Sequence, residues 1–460
     1  MALSGNINSL TRYPSGSLRE LWAIAWPLML SGLSGSLMVF TDRAILAHYH
    51  SKAFNACVTV QPWVWTCELG LMAIVGCSEV IVGRLNGAKQ FQRIGSAVWE
   101  VMMLAFSSYL LLIPVMLFAP YLLLSTVGPE GIRYMRMLLM TMPFELAGFG
   151  AIVSFFVGRC DTKKIPVIFI GGNLLNATLD YWFVFGGLGI PSLGITGTGL
   201  GTNISHLVCF GSFLTLFLRK KHREKYGIGK LQWSWDVIHQ CFKIGLPNAL
   251  VVVCNMAGWA CVYLCFANYL SPAYYKAFCA VSTFYTFSFF VLDGNSKSVC
   301  TLCANLIGSG YAERMGTILK QGVRLISIWA VIFGIFLYFS NPIVQFLSSN
   351  EFVSDAAFNK QASLFMIGYW LMFCTEGSFM CTTGFLFALF KVKWILTINL
   401  ILYIGMVLAP VYFAVAIHHW NPIIYPVLVV VKFCLILAGF YLWYRKKTWA
   451  QSVITQLKND

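Results

Sequence analysis

Charge is scarce in this 460-residue chain: 11% of residues are charged, and acids are the rarer kind, 17 against 32 basic residues. That excludes the ordinary soluble globular class, in which about a quarter of residues are charged. Several catalytic signatures are missing as well. No G-x-x-x-x-G-K-[ST] supplies a nucleotide loop, which leaves an ATP-driven pump without its motor. No H-E-x-x-H or G-x-S-x-G occurs, so a membrane-embedded enzyme is only a remote alternative. The chain has seven histidines, and His418 with His419 falls in an expected loop that offers no acid or metal partner. Cys300 and Cys303 form a C-x-x-C inside an apolar stretch with no nearby His, which does not suit a metal site. The 15 cysteines sit mostly in apolar runs, where a thiol acts as a small hydrophobic group, and no disulfide is assigned. No cofactor is expected.

Apolar residues, by contrast, make up 58% of the chain, and the mean hydropathy is +0.73. A spanning helix needs about 20 mostly apolar residues. Twelve runs meet that need, approximately 20–46, 54–83, 95–119, 132–158, 164–187, 195–218, 241–270, 273–307, 317–340, 357–388, 393–416 and 421–444. Backbone groups in lipid must satisfy themselves, and runs of this length do so as helices rather than as barrel strands. The expected fold is an all-α polytopic membrane protein.

The formal charge of +15 raises the question of nucleic acid, but the basic residues have a topological order. Arg84, Lys89 and Arg93 follow run two, Arg159, Lys163 and Lys164 follow run four, and Arg219 to Lys230 fill the connection after run six. Arg314 and Lys320 follow run eight, Lys391 and Lys393 run ten, and Arg445 to Lys447 the last run. The positive-inside bias therefore places both termini and every even connection in the cytoplasm, and no nucleic-acid partner is needed. The first apolar run is too long for a signal-peptide core and stays as helix one.

The polar stretch "RKKHREKYGIGK" divides the chain into an N-terminal six-helix lobe (1–218), a cytoplasmic linker (219–240) and a C-terminal six-helix lobe (241–460). The halves resemble each other. "IAWPLMLSGLSGSL" aligns with "IGLPNALVVVCNMA", setting Pro27 opposite Pro247, and "LNGAKQFQRIGSAV" aligns with "IGSGYAERMGTILK". With "DTKKIPVIF" at 161–169 falling near "LFKVKWILT" at 389–397, the offsets stay between 220 and 228 residues. An even number of spans separates the repeats, so they enter the membrane in the same sense, related by pseudo-two-fold symmetry along the normal.

The stretches "WPLMLSGLSGSLMVFTDRAILAH", "VIVGRLNGAK", "GRCDTKKIP", "NLLNATLDYWFVFGGLGIPSLGITGTGLGTN" and "GLPNAL" resemble the multidrug and toxic compound extrusion (MATE) family of the MOP flippase superfamily. The resemblance implies a secondary active antiporter that exports organic, cationic or amphipathic compounds in exchange for protons or sodium by alternating access. It also implies a small organic substrate, a lipid surround and a monomer. Short termini without a targeting sequence point to a bacterial inner membrane. A flippase for a lipid-linked or saccharide substrate is the alternative within the superfamily.

The family's amino-terminal cation site falls on Asp42, Asn176, Asp180 and Thr202. Depth arithmetic agrees: Asp42 lies about 33 Å along helix one from Glu20, Asp180 about 24 Å along helix five from Lys164, and Thr202 about 10 Å below the start of helix six. All four then fall in the outer half of the first lobe. Burial and mutual repulsion of two acids favour a bound proton or small cation. Arg43 is expected to extend to the outer interface, although a pair with Asp42 would leave Asp180 as the proton carrier. Gly150 stands near where some relatives carry a polar group on helix four.

The second lobe departs further from the family. Asn255 stands where relatives commonly have Glu, while Glu376 matches a position that is often acidic. Asp293 and Lys297 lie one turn apart on helix eight and either neutralise each other or line a substrate site. These four form the candidate substrate or second ion site. Glu68 and Glu145 also fall deep in their spans, without a direction that the sequence fixes. The aromatic run "FYTFSFF" suits flat organic cations by cation–π contact, although packing explains any single ring as well.

Overall fold

A computed structural model describes residues 10–187, 189–229, 234–338 and 356–446. Twelve helices among them are long and apolar enough to cross a membrane. They are α1 Leu18–Tyr49, α2 Ser51–Gly87, α3 Phe91–Ala119, α4 Val127–Gly158, α5 Ile165–Phe185, α6 Ile195–Phe217, α7 Trp235–Tyr269, α8 Pro272–Gly308, α9 Ala312–Ile335, α10 Phe358–Ala388, α11 Lys393–Ile417 and α12 Ile424–Arg445. The chain is an all-α polytopic membrane protein. Each expected run finds its helix, with ends shifted by at most about six residues, the scale on which helix boundaries blur. Residues 339–340 of the ninth run and Lys230 of the linker lie outside the described residues.

Large apolar side chains point outward, among them Leu110, Tyr121, Val167 and Leu174. In water such a surface would associate; in lipid it is the solvent-matched face. Inside, several helices depart from regular α geometry. α2 is interrupted at Gly76 and Cys77, α4 carries a π-helical stretch over Leu146–Ile152, and α11 carries two, Tyr403–Leu408 and Phe413–Ile417. Such bulges re-aim side chains by shifting the register of the i to i−4 ladder.

The chain forms two compact units, Leu30–Val253 and Met1–Met29 with Cys254–Asp460. It changes unit twice, within α1 and within α7, each time shortly after a proline, Pro27 or Pro247. Proline removes a helical donor and its ring crowds the preceding turn.

In the unit Leu30–Val253, α5 and α6 pack backbone against backbone. A Cβ at Gly197 would overlap the Phe183 carbonyl, and one at Gly201 would overlap Asp180 Oδ1. Helix pairs in lipid gain little from hydrophobic burial, so small residues that permit close approach carry the association. This is the physical content of "GTGLGTN". α4 is tied to α6 by Asn203, whose Nδ2 donates to the Met137 carbonyl at 2.9 Å while Oδ1 accepts from Thr141 Oγ1 at 2.7 Å. At the basic end of these helices, a short helix Lys220–Tyr226 covers Arg159. The Arg159 guanidinium lies 4.0 Å from the Phe155 ring centre, 4.3 Å from that of Tyr226 and 3.1 Å from Asp161 Oδ2. Burial, and then the Arg159 charge, hold the His222 imidazole below its usual range.

In the other unit α8 and α10 form the core. Gly384 admits the Ser296 carbonyl, Ser296 Oγ donates to the Met380 carbonyl at 2.6 Å, and Asn295 Nδ2 reaches the Gly322 carbonyl of α9 at 3.0 Å. The start of α1 belongs here, with the Met29 backbone seated where Gly294 of α8 carries no side chain.

Candidate functional site

Asp42 on α1, Asn176 and Asp180 on α5 and Thr202 on α6 come together in the unit Leu30–Val253. All four are buried, Asn176 and Asp180 completely. Asn176 and Asp180 are four residues apart and share one face of α5. Asn176 Nδ2 donates to Asp180 Oδ1 at 3.2 Å and lies 3.3 Å from Thr202 Oγ1. The Asp42 and Asp180 carboxyls lie within hydrogen-bonding reach of each other. Among the described residues, no donor bonds to Asp42 Oδ1, Asp180 Oδ2 or Asn176 Oδ1.

Those orphaned oxygens define the chemistry. Two touching carboxylates in a buried site repel, and each carries a large desolvation cost. One shared proton, or one small hard cation drawing on the same oxygens, balances them. Gly201 is part of the construction, because only a residue without Cβ lets the Asp180 carboxyl lie against the α6 backbone.

Arg43 behaves differently from the expectation of an outward-reaching side chain. Its Nε and Nη2 both donate to Gln61 Oε1 on α2, at 2.9 and 2.6 Å, and its guanidinium lies 5.5 Å from the Trp65 ring centre. A bidentate partner and an aromatic face hold a guanidinium better than interfacial water reached by a strained stem. Consequently neither carboxylate oxygen of Asp42 is taken up by Arg43 within ion-pair distance among the described residues.

A further titratable group that the sequence reading passed over is His206, one turn beyond Thr202 on α6. Its Nδ1 lies 3.4 Å from Glu145 Oε2 on α4, and its ring meets Phe149 edge to face at 5.4 Å. Glu68 of α2 lies within hydrogen-bonding reach of the Glu145 carboxyl. An ionisable residue inside an apolar run was the available signal.

The other unit's candidate residues do not converge. Asp293 and Lys297 form an ion pair at 2.8 Å on the half-exposed face of α8. Asn255 Oδ1 is buried without a donor among the described residues. Glu376 of α10 accepts a short hydrogen bond from Tyr285 Oη. Its charged neighbour is Lys432 of α12, 3% exposed, with Nζ 3.9 Å from the Phe433 ring centre and 4.9 Å from that of Tyr403. Lys432 was equally legible as the lone charge in "VVVKFCLILAGF" and was missed.

Twelve spanning helices, two repeated halves and a buried polar cluster inside one half define a membrane transporter rather than an enzyme. The MatE family model matches residues 27–182 and 249–411, and the chain belongs to that family. It is similar to a probable multidrug resistance protein NorM of Thermotoga maritima, 26% identical over 345 residues that cover 72% of each chain. It is also similar to a multidrug resistance protein NorM of Vibrio parahaemolyticus, 27% identical over 259 residues covering 53% of this chain and 55% of that one. Among solved structures, the outward-facing conformation of a multidrug resistance MATE family transporter of the MOP superfamily superposes with a TM-score of 0.81 at 16% identity, covering 96% of both chains. The eukaryotic MATE transporter AtDTX14 superposes with a TM-score of 0.80 at 14% identity, over 95% of this chain and 98% of that one. These likenesses concern the fold.

Proposed function

We propose that the chain is a secondary antiporter that exports small organic compounds in exchange for a cation bound by Asp42, Asn176, Asp180 and Thr202. The observation that carries this reading is the buried contact between the Asp42 and Asp180 carboxyls, with three oxygens of the cluster left without donors among the described residues. Such a cluster changes charge when a cation enters or leaves. An ion that binds one conformation more tightly than the other shifts the equilibrium between them. Of the two candidate ions, the proton is favoured by the direct carboxyl contact, which one proton bridges without any change in distance. The NorM relatives, multidrug resistance proteins by name, support a substrate class of small organic compounds. The order of basic connections supports an orientation with both termini cytoplasmic.

The test is transport. Wild type and Asp180→Asn are reconstituted in liposomes, and efflux of ethidium is followed under an imposed proton gradient and then a sodium gradient. A response to one gradient, lost in a folded Asp180→Asn, is the expected result and names the ion. Gradient-insensitive efflux that is equal in both proteins would sink the reading and favour the flippase alternative.

A further inference from the structure

His206 stands between two carboxyl pairs. On one side stand Asp42 and Asp180, one turn from His206 along α6 through Thr202 and Asn176. On the other stand Glu145, 3.4 Å from Nδ1, and Glu68 beyond it. The side chains of His206 and Glu145 are 17% and 11% exposed. The groups facing this string from the surrounding helices are Asp42 and Arg43 on α1, Cys57 and Glu68 on α2, Tyr134 and Glu145 on α4 and Asp180 on α5. Arg43 is committed to Gln61, and Cys57 Sγ to Tyr134 Oη at 3.6 Å.

The string also has a direction. Counting from the joined ends of α1 and α2, Asp42 lies about 10 Å along its helix and Glu68 about 26 Å along its own. Glu145 is the last residue before the π-helical stretch Leu146–Ile152, where the shifted register turns the helix face. Two carboxyls within reach of each other in a low-dielectric setting are balanced by a proton held between them, which is the place Glu68 and Glu145 offer.

We propose that Glu68, Glu145 and His206 form a second proton-binding site, and that His206 passes a proton between it and the Asp42–Asp180 pair. In that step a proton leaving the aspartate pair binds the free imidazole nitrogen, and the Nδ1 proton moves to Glu145 Oε2. The Glu68–Glu145 pair then holds two protons where it held one, and the imidazole is neutral in its other tautomer. The proposal rests on the coupling role assigned above to Asp180.

The test uses infrared difference spectra of the full chain in liposomes on a step from neutral to acid pH, together with proton-driven ethidium efflux. The variants are Asp180→Asn, Glu68→Gln, Glu145→Gln and His206→Gln, each checked for folding by thermal melting. Two separable carboxyl bands are expected in wild type. Asp180→Asn removes one, and Glu68→Gln and Glu145→Gln each remove the other. His206→Gln keeps both bands and loses proton-driven efflux. If Glu145→Gln does not fold, Glu68→Gln decides alone, because Glu68 makes no ion pair with His206. Glutamine variants that keep every wild-type band and the wild-type pH profile, while Asp180→Asn loses coupling, overturn the second site alone. Full coupling in Asp180→Asn overturns the coupling role and the relay with it.

Discussion

The two units bury charge in opposite ways. Leu30–Val253 sets two carboxyl pairs, Asp42 with Asp180 and Glu68 with Glu145, near the His206 imidazole, while the Arg43 guanidinium is turned onto Gln61. The other unit sets a half-buried carboxyl, Glu376, near a buried ammonium, Lys432, within a wall of Tyr285, Tyr403 and Phe433. A lysine tethered to the chain supplies counter-charge that never leaves. A carboxyl pair without one depends on a cation that comes and goes. The contrast comes down to where a single positive charge sits.

The largest expected break of this contrast is Asp42→Asn, which leaves Asp180 with no second acid and removes the response of efflux to an ion gradient altogether. Gradient-driven ethidium efflux measures it, and wild-type coupling in the folded variant would contradict it. Next comes Lys432→Met. Removing Lys432 takes the counter-charge from a half-buried carboxyl, and the loss stays below the roughly 3–5 kcal/mol of breaking a fully buried pair. Thermal melting should show a steep fall that the double variant Lys432→Met with Glu376→Gln largely recovers. Equal melting of wild type and Lys432→Met would mean that the two charges are not a pair.

Gly201→Ala is smaller and sharpens the geometry. A methyl there displaces the Asp180 carboxyl and prises α5 from α6, at about 1–3 kcal/mol. Both the melting temperature and ion-driven efflux should fall, whereas Gly211→Ala on the same helix, where a Cβ meets nothing within 4 Å, should leave both unchanged. The smallest effect lies outside the membrane, at His222. Its imidazole resists protonation when folded, so the unfolded chain binds the extra proton first. Stability contributed there is present above the unfolded imidazole value near pH 6.5 and is lost as pH falls below it. His222→Gln should flatten that part of the melting profile, and an unchanged profile would rule the contribution out.

How much could be read from the sequence follows from the range of each interaction. Span number and type follow from the length of apolar runs, a local property, so the twelve helices were legible. Asp42, Asn176, Asp180 and Thr202 could be set at one depth because rise per residue converts sequence position into height. Azimuth has no such rule. The choice of Gln61 by Arg43, or of Glu145 by His206, depends on how helices are rotated toward one another, and no periodicity records it. Lys432 is a different case, since a lone ammonium in a membrane span is visible in the string itself and needed only to be asked for a partner.

The passage of α1 from one unit to the other has a consequence for synthesis. The turns before Met29 rest on α8, at Gly294, a residue made more than two hundred positions later. A helix made well before α8 is therefore among the last to find its seat. The unit Leu30–Val253 can close once α7 has begun, while the opening of α1 waits in the bilayer with its partner unmade. Contacts of such long sequence separation are slow to form. A chain cut at the Arg219–Lys230 connection would give two fragments, each holding a helix half that packs in the other's unit, and neither complete until they meet.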